Sequence, residues 1–134
     1  MTRHPVLILG ARSDIGKAMA HAFAASGHPV QLARNADTLQ ADQSDIALRY
    51  DVEVTLHKFD VLDLASHTAF VDCLPELPQI AICVVGLLGE QAQNERDPEA
   101  TSRIIRSNFE GPASILGIVA NRFEERGEGT LVGI

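Results

Sequence analysis

The chain has 134 residues, enough for one domain with a real core, and 46% of them are hydrophobic, which excludes a disordered chain. Its formal net charge is -7 with the acids spread along its length, so the surface repels phosphate backbones and nucleic acid is not an expected partner. The longest apolar run, Ile80 to Leu88, is too short for a membrane span, and no charged-then-apolar signal segment opens the chain. Two cysteines without a CxxC pair fit a reducing cytoplasm, and the five scattered histidines make no metal-ligand spacing.

The predicted elements alternate. Val6 to Leu9 is a fully apolar run that suits a buried parallel strand. Ile15 to Ala25 reads as a helix that ends at Gly27, and Pro29 to Ala33 as a second strand. A helix over Ala36 to Arg49 and a strand over Val52 to Phe59 follow. Leu64 to Leu74 is a helix with Asp63 as its N-cap, and Pro75 and Pro78 mark the next turn. Ile80 to Val85 is the fourth strand, and a loop runs from Gly86 to about Arg96.

Asp97-Pro98-Glu99 is a strong helix start: an N-cap, a proline at the first position and an acid in the first turn. That helix runs towards Arg126, with Ile105, Phe109, Ile115, Val119 and Phe123 as core candidates, and Gly127 and Gly129 end it. Thr130 to Ile134 begins a fifth strand, an exposed apolar edge from which a continuation is expected. This β-α alternation predicts an α/β fold with a parallel sheet and helices on both faces.

Between the first strand and the first helix lies Gly10-Ala11-Arg12-Ser13-Asp14-Ile15-Gly16. Glycine serves where the chain turns sharply and where backbone approaches a ligand, and the helix behind offers free N–H groups and a positive dipole end. Gly10 to Gly16 is one residue too long for a Walker A loop, and Ala18 stands where that loop needs Ser or Thr. The spacing also differs from the common GxGxxG fingerprint. Asp14 is expected to cap the helix by accepting from its free N–H groups.

The loop resembles the TGxxxGxG loop of short-chain dehydrogenases/reductases, with Leu9 in place of the Thr, Gly10 and Gly16 as the outer glycines and Asp14 in place of the middle one. The resemblance implies a Rossmann-type doubly wound sheet of strand order 3-2-1-4-5-6-7, of which this chain supplies strands 1 to 5. It implies that Gly10, Arg12, Ser13, Asp14, Ile15 and Gly16 hold the cofactor pyrophosphate. NAD binders usually carry an acid about 20 residues on, for the ribose hydroxyl. Here stand Ala33-Arg34-Asn35, so a guanidinium is placed to pair with a 2′-phosphate, with Arg12 as a second positive charge. NADP(H) is therefore expected over NAD(H); the other reading of Arg34 is a solvated strand end.

At the end of the third strand, Asp60-Val61 matches a family pair that contacts the adenine; Asp60 accepts from the adenine amino group or else caps a loop. After the fourth strand the family has an Asn-Ala-Gly turn, and Val84-Val85-Gly86 keeps only Gly86, as a lining of the cofactor pocket. Pro112 removes an N–H and crowds the carbonyl four residues back, which is that of Asn108. The helix is therefore expected to be irregular at Asn108, whose freed carbonyl needs another partner. Asn108 with Gly111 matches the family's Asn-x-x-Gly, whose asparagine holds a water of the proton relay, and Asn108 is the catalytic candidate.

The family's Ser and Tyr-x-x-x-Lys are absent from these residues: Tyr50, the only tyrosine, is followed four positions on by Val54. The chain resembles the first half of a family member, which implies a single NAD(P)-binding domain over residues 1–134 that lacks the catalytic half and is expected to be inactive alone. The resemblance implies an NADP(H)-dependent oxidoreductase that interconverts a carbonyl and an alcohol of a small molecule by hydride transfer, homo-oligomeric at full length. The run Val85-Gly86-Leu87-Leu88-Gly89-Glu90 is similar to that of reductases acting on sugar–lipid intermediates of bacterial cell walls. Two other readings stay open: a non-catalytic nucleotide-binding module, and an interaction subunit with the long helix as its dimer face.

Overall fold

Strands that read as unbroken apolar runs need cover on both faces, and the sheet supplies it. The computed structural model describes residues 3–11, 13–34, 39–85 and 95–134. Strands β1 (Val6–Leu9), β2 (Val30–Arg34), β3 (Val54–Lys58), β4 (Ile80–Cys83) and β5 (Thr130–Gly133) form one parallel sheet in the order β3-β2-β1-β4-β5. Val6 lies opposite Val30 on one side and Ile80 on the other, and Ile80 lies opposite Thr130. This is the Rossmann-type doubly wound arrangement expected from the sequence. The order reverses between β1 and β4, and it is at the carboxyl ends of the strands beside such a reversal that open α/β sheets form their ligand crevice.

Alternate strand residues serve the two faces. Val6, Ile8, Val30, Leu32, Val54 and Ile82 pack with Ala20 and Ala24 of α1 (Asp14–Ala25) and Ile46 of α2 (Gln40–Tyr50). Leu7, Leu9, Ala33, Ala81 and Cys83 pack on the opposite face with Val71 of α3 (His67–Asp72) and with Ile115, Val119 and Phe123 of α5 (Gly111–Arg126). Ile115 is fully buried at the centre of that second layer. Ile115→Ala should cost about 2–5 kcal/mol, the range for truncating a core aliphatic. The readout is a lower urea midpoint at an unchanged denaturant slope.

Several expected elements change form. The helix expected over Ala36 to Arg49 is α2, which starts at Gln40 after a non-helical Leu39 and ends on Asp51 in the left-handed region at φ 53°. The helix expected over Leu64 to Leu74 divides into a 3₁₀ turn, Leu64–Ser66, and α3. Asp63 does not cap it through its side chain. A 3₁₀ start closes i to i+3, so the Ser66 N–H donates to the main-chain carbonyl of Asp63 at 3.0 Å, and the Ser66 hydroxyl donates there at 2.7 Å.

The Asp97 start is as expected: its carboxylate accepts from the Glu99 N–H at 3.0 Å and Pro98 opens α4 (Pro98–Ile105). A π turn over Arg106–Glu110 then separates α4 from α5, closed by the Gly111 N–H donating to the Arg106 carbonyl. The irregularity expected around Asn108 is this turn, and Asn108 is its central residue. Ile105 and Phe109, expected in the core, are 57% and 74% exposed. The buried stripe instead passes through Ser107, Gly111, Ile115, Val119 and Phe123. Its upper members are small because the helix there approaches Val61 closely: a Cβ on Gly111 would collide with the Val61 side chain and carbonyl. Among the described residues, no helix is long and apolar enough to cross a membrane.

Candidate functional site

Two glycines bracket the loop beside the β1–β4 reversal. Gly10 follows β1 at φ +91°, where L side chains are strained, and a Cβ there would stand 2.9 Å from the Val84 carbonyl carbon. Its N–H and that of Ala11 donate to the Ala33 carbonyl at 3.1 and 3.3 Å, which ties the loop to the end of β2. Gly16 sits one turn into the loop's helix, and a Cβ there would stand 2.6 Å from the Gly10 carbonyl oxygen. Gly10 is thus fixed by turning and by main-chain approach, and the helical Gly16 by main-chain approach alone.

The helix cap differs from the sequence expectation. Ser13, extended at φ -65° and ψ 153°, is the N-cap of α1, and its hydroxyl oxygen accepts from the Gly16 N–H at 3.0 Å while donating to the Gly10 carbonyl at 3.1 Å. Asp14 is instead the first helical residue. A capping side chain reaches the N–H two or three positions on, and Ser13 holds that place relative to Gly16. Asp14 stands in the first turn, where a negative charge suits the helix dipole. A helix leaves its first N–H groups without an acceptor in its own preceding turn, and in α1 these begin at Asp14 and Ile15.

Arg34 closes β2 half-buried, in register with the exposed Lys58 at the end of β3. The pairing places two cationic side chains on one face of the sheet at its carboxyl edge. Sequence reasoning missed Lys58; its signal was a second basic residue at a strand end. Arg12, Asn35 and Gly86 lie outside the described residues, as does the Gly86 to Glu90 run.

Asp60 and Val61 follow β3 through the buried Phe59. One Asp60 carboxylate oxygen accepts from the Leu62 N–H at 2.9 Å, so the carboxylate builds the turn it stands in. Val61 packs towards Gly111, directly after the π turn that carries Asn108. Gly10, Ser13, Asp14, Ile15, Gly16, Arg34, Asp60 and Val61 therefore lie at or just beyond the carboxyl ends of β1, β2 and β3, and Asn108 lies in the π turn that precedes Gly111, the residue Val61 approaches.

Below this edge, His57 and Lys58 line a cavity of about 400 Å³ with Phe59, Ser66, Phe70 and Cys73. Burial holds the His57 imidazole below its ordinary value of 6.5. A base lowered by folding contributes its full stability above the unfolded value, and that contribution is lost as pH falls through the lower folded value. The urea midpoint should therefore drop as pH falls below about 6.5, with a shallower drop in His57→Gln. An equal drop in both proteins would remove His57 as the cause. Burial also pushes the Cys83 thiol up, against a smaller opposing effect of a hydrogen bond with the Val85 backbone.

Residues 4–134 match the family model described as short chain dehydrogenase. The chain is 38% identical over 133 residues to an uncharacterized oxidoreductase of Mycobacterium tuberculosis, covering 96% of this chain and 53% of that protein. A short-chain type dehydrogenase/reductase of Mycobacterium marinum superposes with a TM-score of 0.88 at 28% identity, over 97% of this chain and 54% of that one. A short-chain dehydrogenase of Sphingobium yanoikuyae, solved in complex with NADPH, superposes with a TM-score of 0.85 at 28% identity, over 97% of this chain and 52% of that one. The chain spans about half the length of the curated relatives it matches. The glycine loop at the sheet's reversal and the matched sequence agree: the chain belongs to the short-chain dehydrogenase family.

Proposed function

We propose that residues 1–134 form the cofactor-binding domain of an NADP(H)-dependent oxidoreductase that interconverts a carbonyl and an alcohol of a small molecule. The observation that carries the reading is the cradle at the β1–β4 reversal. Main chain excludes a side chain at Gly10 and at Gly16, so the loop packs tightly between the end of β4 and the start of α1, whose first N–H groups suit a pyrophosphate. The nicotinamide cofactor supplies hydride chemistry when bound. The chain's own residues bind and orient it.

In this reading the N–H groups of Asp14 and Ile15, with Arg12 and Ser13 in the loop, hold the pyrophosphate. Arg34 pairs with the 2′-phosphate, Asn35 stands beside it, and Lys58 adds a second positive charge across the strand pair. Asp60 and Val61 receive the adenine, Gly86 lines the pocket, and Asn108 holds a water of the proton relay at its π turn. The NADPH complex of the Sphingobium yanoikuyae relative supports the cofactor choice. The exposed Ile105 and Phe109 support a homo-oligomer, and the two cysteines without a CxxC pair support a cytoplasmic setting.

The test is NADPH-dependent reduction of a panel of small ketones and aldehydes by the protein expressed from its whole reading frame. Consumption of NADPH that depends on the carbonyl supports the oxidoreductase. Tight NADPH binding with no turnover on any carbonyl would instead favour a non-catalytic nucleotide-binding module.

A further inference from the structure

We propose that His67, held by Ser114, is a positioning residue for the Asp60–Val61 turn and links that turn to the π turn carrying Asn108. The proposal rests on the nucleotide-binding reading above, in which Asp60 and Val61 receive the adenine.

His67 is fully buried, yet it is a histidine where an aliphatic side chain would fill the space. Both ring nitrogens are used. Nε2 lies 3.0 Å from the Asp60 main-chain carbonyl, which can only accept, so Nε2 carries the hydrogen. Nδ1 lies 2.9 Å from the Ser114 hydroxyl, which completes the second hydrogen bond of the ring. The Phe59 ring lies 5.1 Å away at 35° and fixes the plane of the imidazole. The ring therefore bridges the turn after β3 and the first turn of α5.

The bridge acts on the peptide that matters. The Asp60 carbonyl accepts from His67 and also from the Asp63 N–H at 3.2 Å, while the Asp60 carboxylate accepts from the Leu62 N–H. Together these bonds set the peptide plane between Asp60 and Val61, and so the direction of both side chains. Val61 in turn occupies the space that a Cβ on Gly111 would need, and the Gly111 N–H closes the π turn. Two contacts thus run in parallel between the turn and α5: Asp60 to His67 to Ser114, and Val61 to Gly111. A buried polar group with both partners satisfied specifies one arrangement where an apolar one would leave several.

The experiment measures affinity for ADP, NADPH and nicotinamide mononucleotide in the protein expressed from its whole reading frame, with His67→Phe, His67→Gln and Ser114→Ala. His67→Phe fills the volume without either hydrogen bond. It should weaken ADP and NADPH by roughly 5–30-fold, the size of one or two buried hydrogen bonds, and leave nicotinamide mononucleotide unchanged. His67→Gln keeps a donor for the Asp60 carbonyl and should restore most of the loss. Ser114→Ala should fall between, and with His67→Gln it carries the test if His67→Phe does not fold. A selective loss on adenine ligands with rescue by Gln supports the positioning role, because a loss of general stability would weaken all three ligands together. Unchanged ADP affinity in all the variants, against a wild type that binds, would overturn this inference alone. A wild type that binds neither ADP nor NADPH would overturn the nucleotide reading and this inference with it.

Discussion

Gly16→Ala should remove most of the NADPH affinity and lower stability by roughly 1–3 kcal/mol, the usual cost of forcing extra atoms into a packed site. The added Cβ would stand 2.6 Å from the Gly10 carbonyl oxygen, and main chain cannot turn aside as a flexible side chain does. It would also press on the Ser13 hydroxyl at 3.0 Å, the group that caps α1. Relief requires the loop to move away from the helix start, which is where the pyrophosphate is proposed to sit. A displacement that costs 1.4 kcal/mol of binding is about tenfold in Kd, and two lost contacts are about a hundredfold. Gly10→Ala should act in the same direction, since φ +91° and the Val84 main chain both oppose a side chain there. Gly117→Ala is the control: nothing lies within 4 Å of a Cβ at that helix position, so binding should stay near wild type and stability should rise by about 0.5–1 kcal/mol. Titration of NADPH with each variant, beside urea melts, checks all three.

Arg34→Asp should reverse the cofactor preference. A charge-assisted hydrogen bond contributes about 1.5–3 kcal/mol, so its loss weakens NADPH by roughly 10–100-fold. The new carboxylate would also repel a 2′-phosphate and accept from a ribose hydroxyl, so NADH should hold or gain affinity. Lys58→Ala, on the neighbouring strand in register with Arg34, should weaken NADPH by a smaller factor, because its side chain is exposed and screened. If Arg34→Asp left NADPH affinity unchanged, the guanidinium would be a solvated strand end and the NADP(H) preference would have no support at this position.

The features legible in the sequence were those with a local cause. β1 runs Val6–Leu9 as expected, because four consecutive apolar residues before a glycine have few other uses in an α/β chain. The irregularity at Asn108 was legible for a covalent reason: Pro112 has no N–H to give the carbonyl four residues back. The start at Asp97 was legible because the cap and the proline act on their immediate neighbours. The features that were not legible depend on what faces what. Ile105 and Phe109 are apolar at helical spacing, but the buried side of the helix runs through Ser107 and Gly111, and Gly111 admits Val61. Ser13 and Asp14 are both good caps, and only the backbone angles at Ser13 decide between them. Of the Asp60 alternatives, the turn-building one is seen in its bond to Leu62, and contact with adenine is the proposal placed beside it. His67 carried no sequence signal, since its two partners lie 7 and 47 residues away.

The central claim is that the crevice at the β1–β4 reversal binds a dinucleotide with a 2′-phosphate. Calorimetric titration of NADPH and NADH into the protein expressed from its whole reading frame tests it most directly. The account predicts saturable binding of both, with NADPH the tighter by about tenfold or more, the equivalent of at least one charge-assisted contact. Absence of binding by either nucleotide, or tighter binding of NADH, would contradict it.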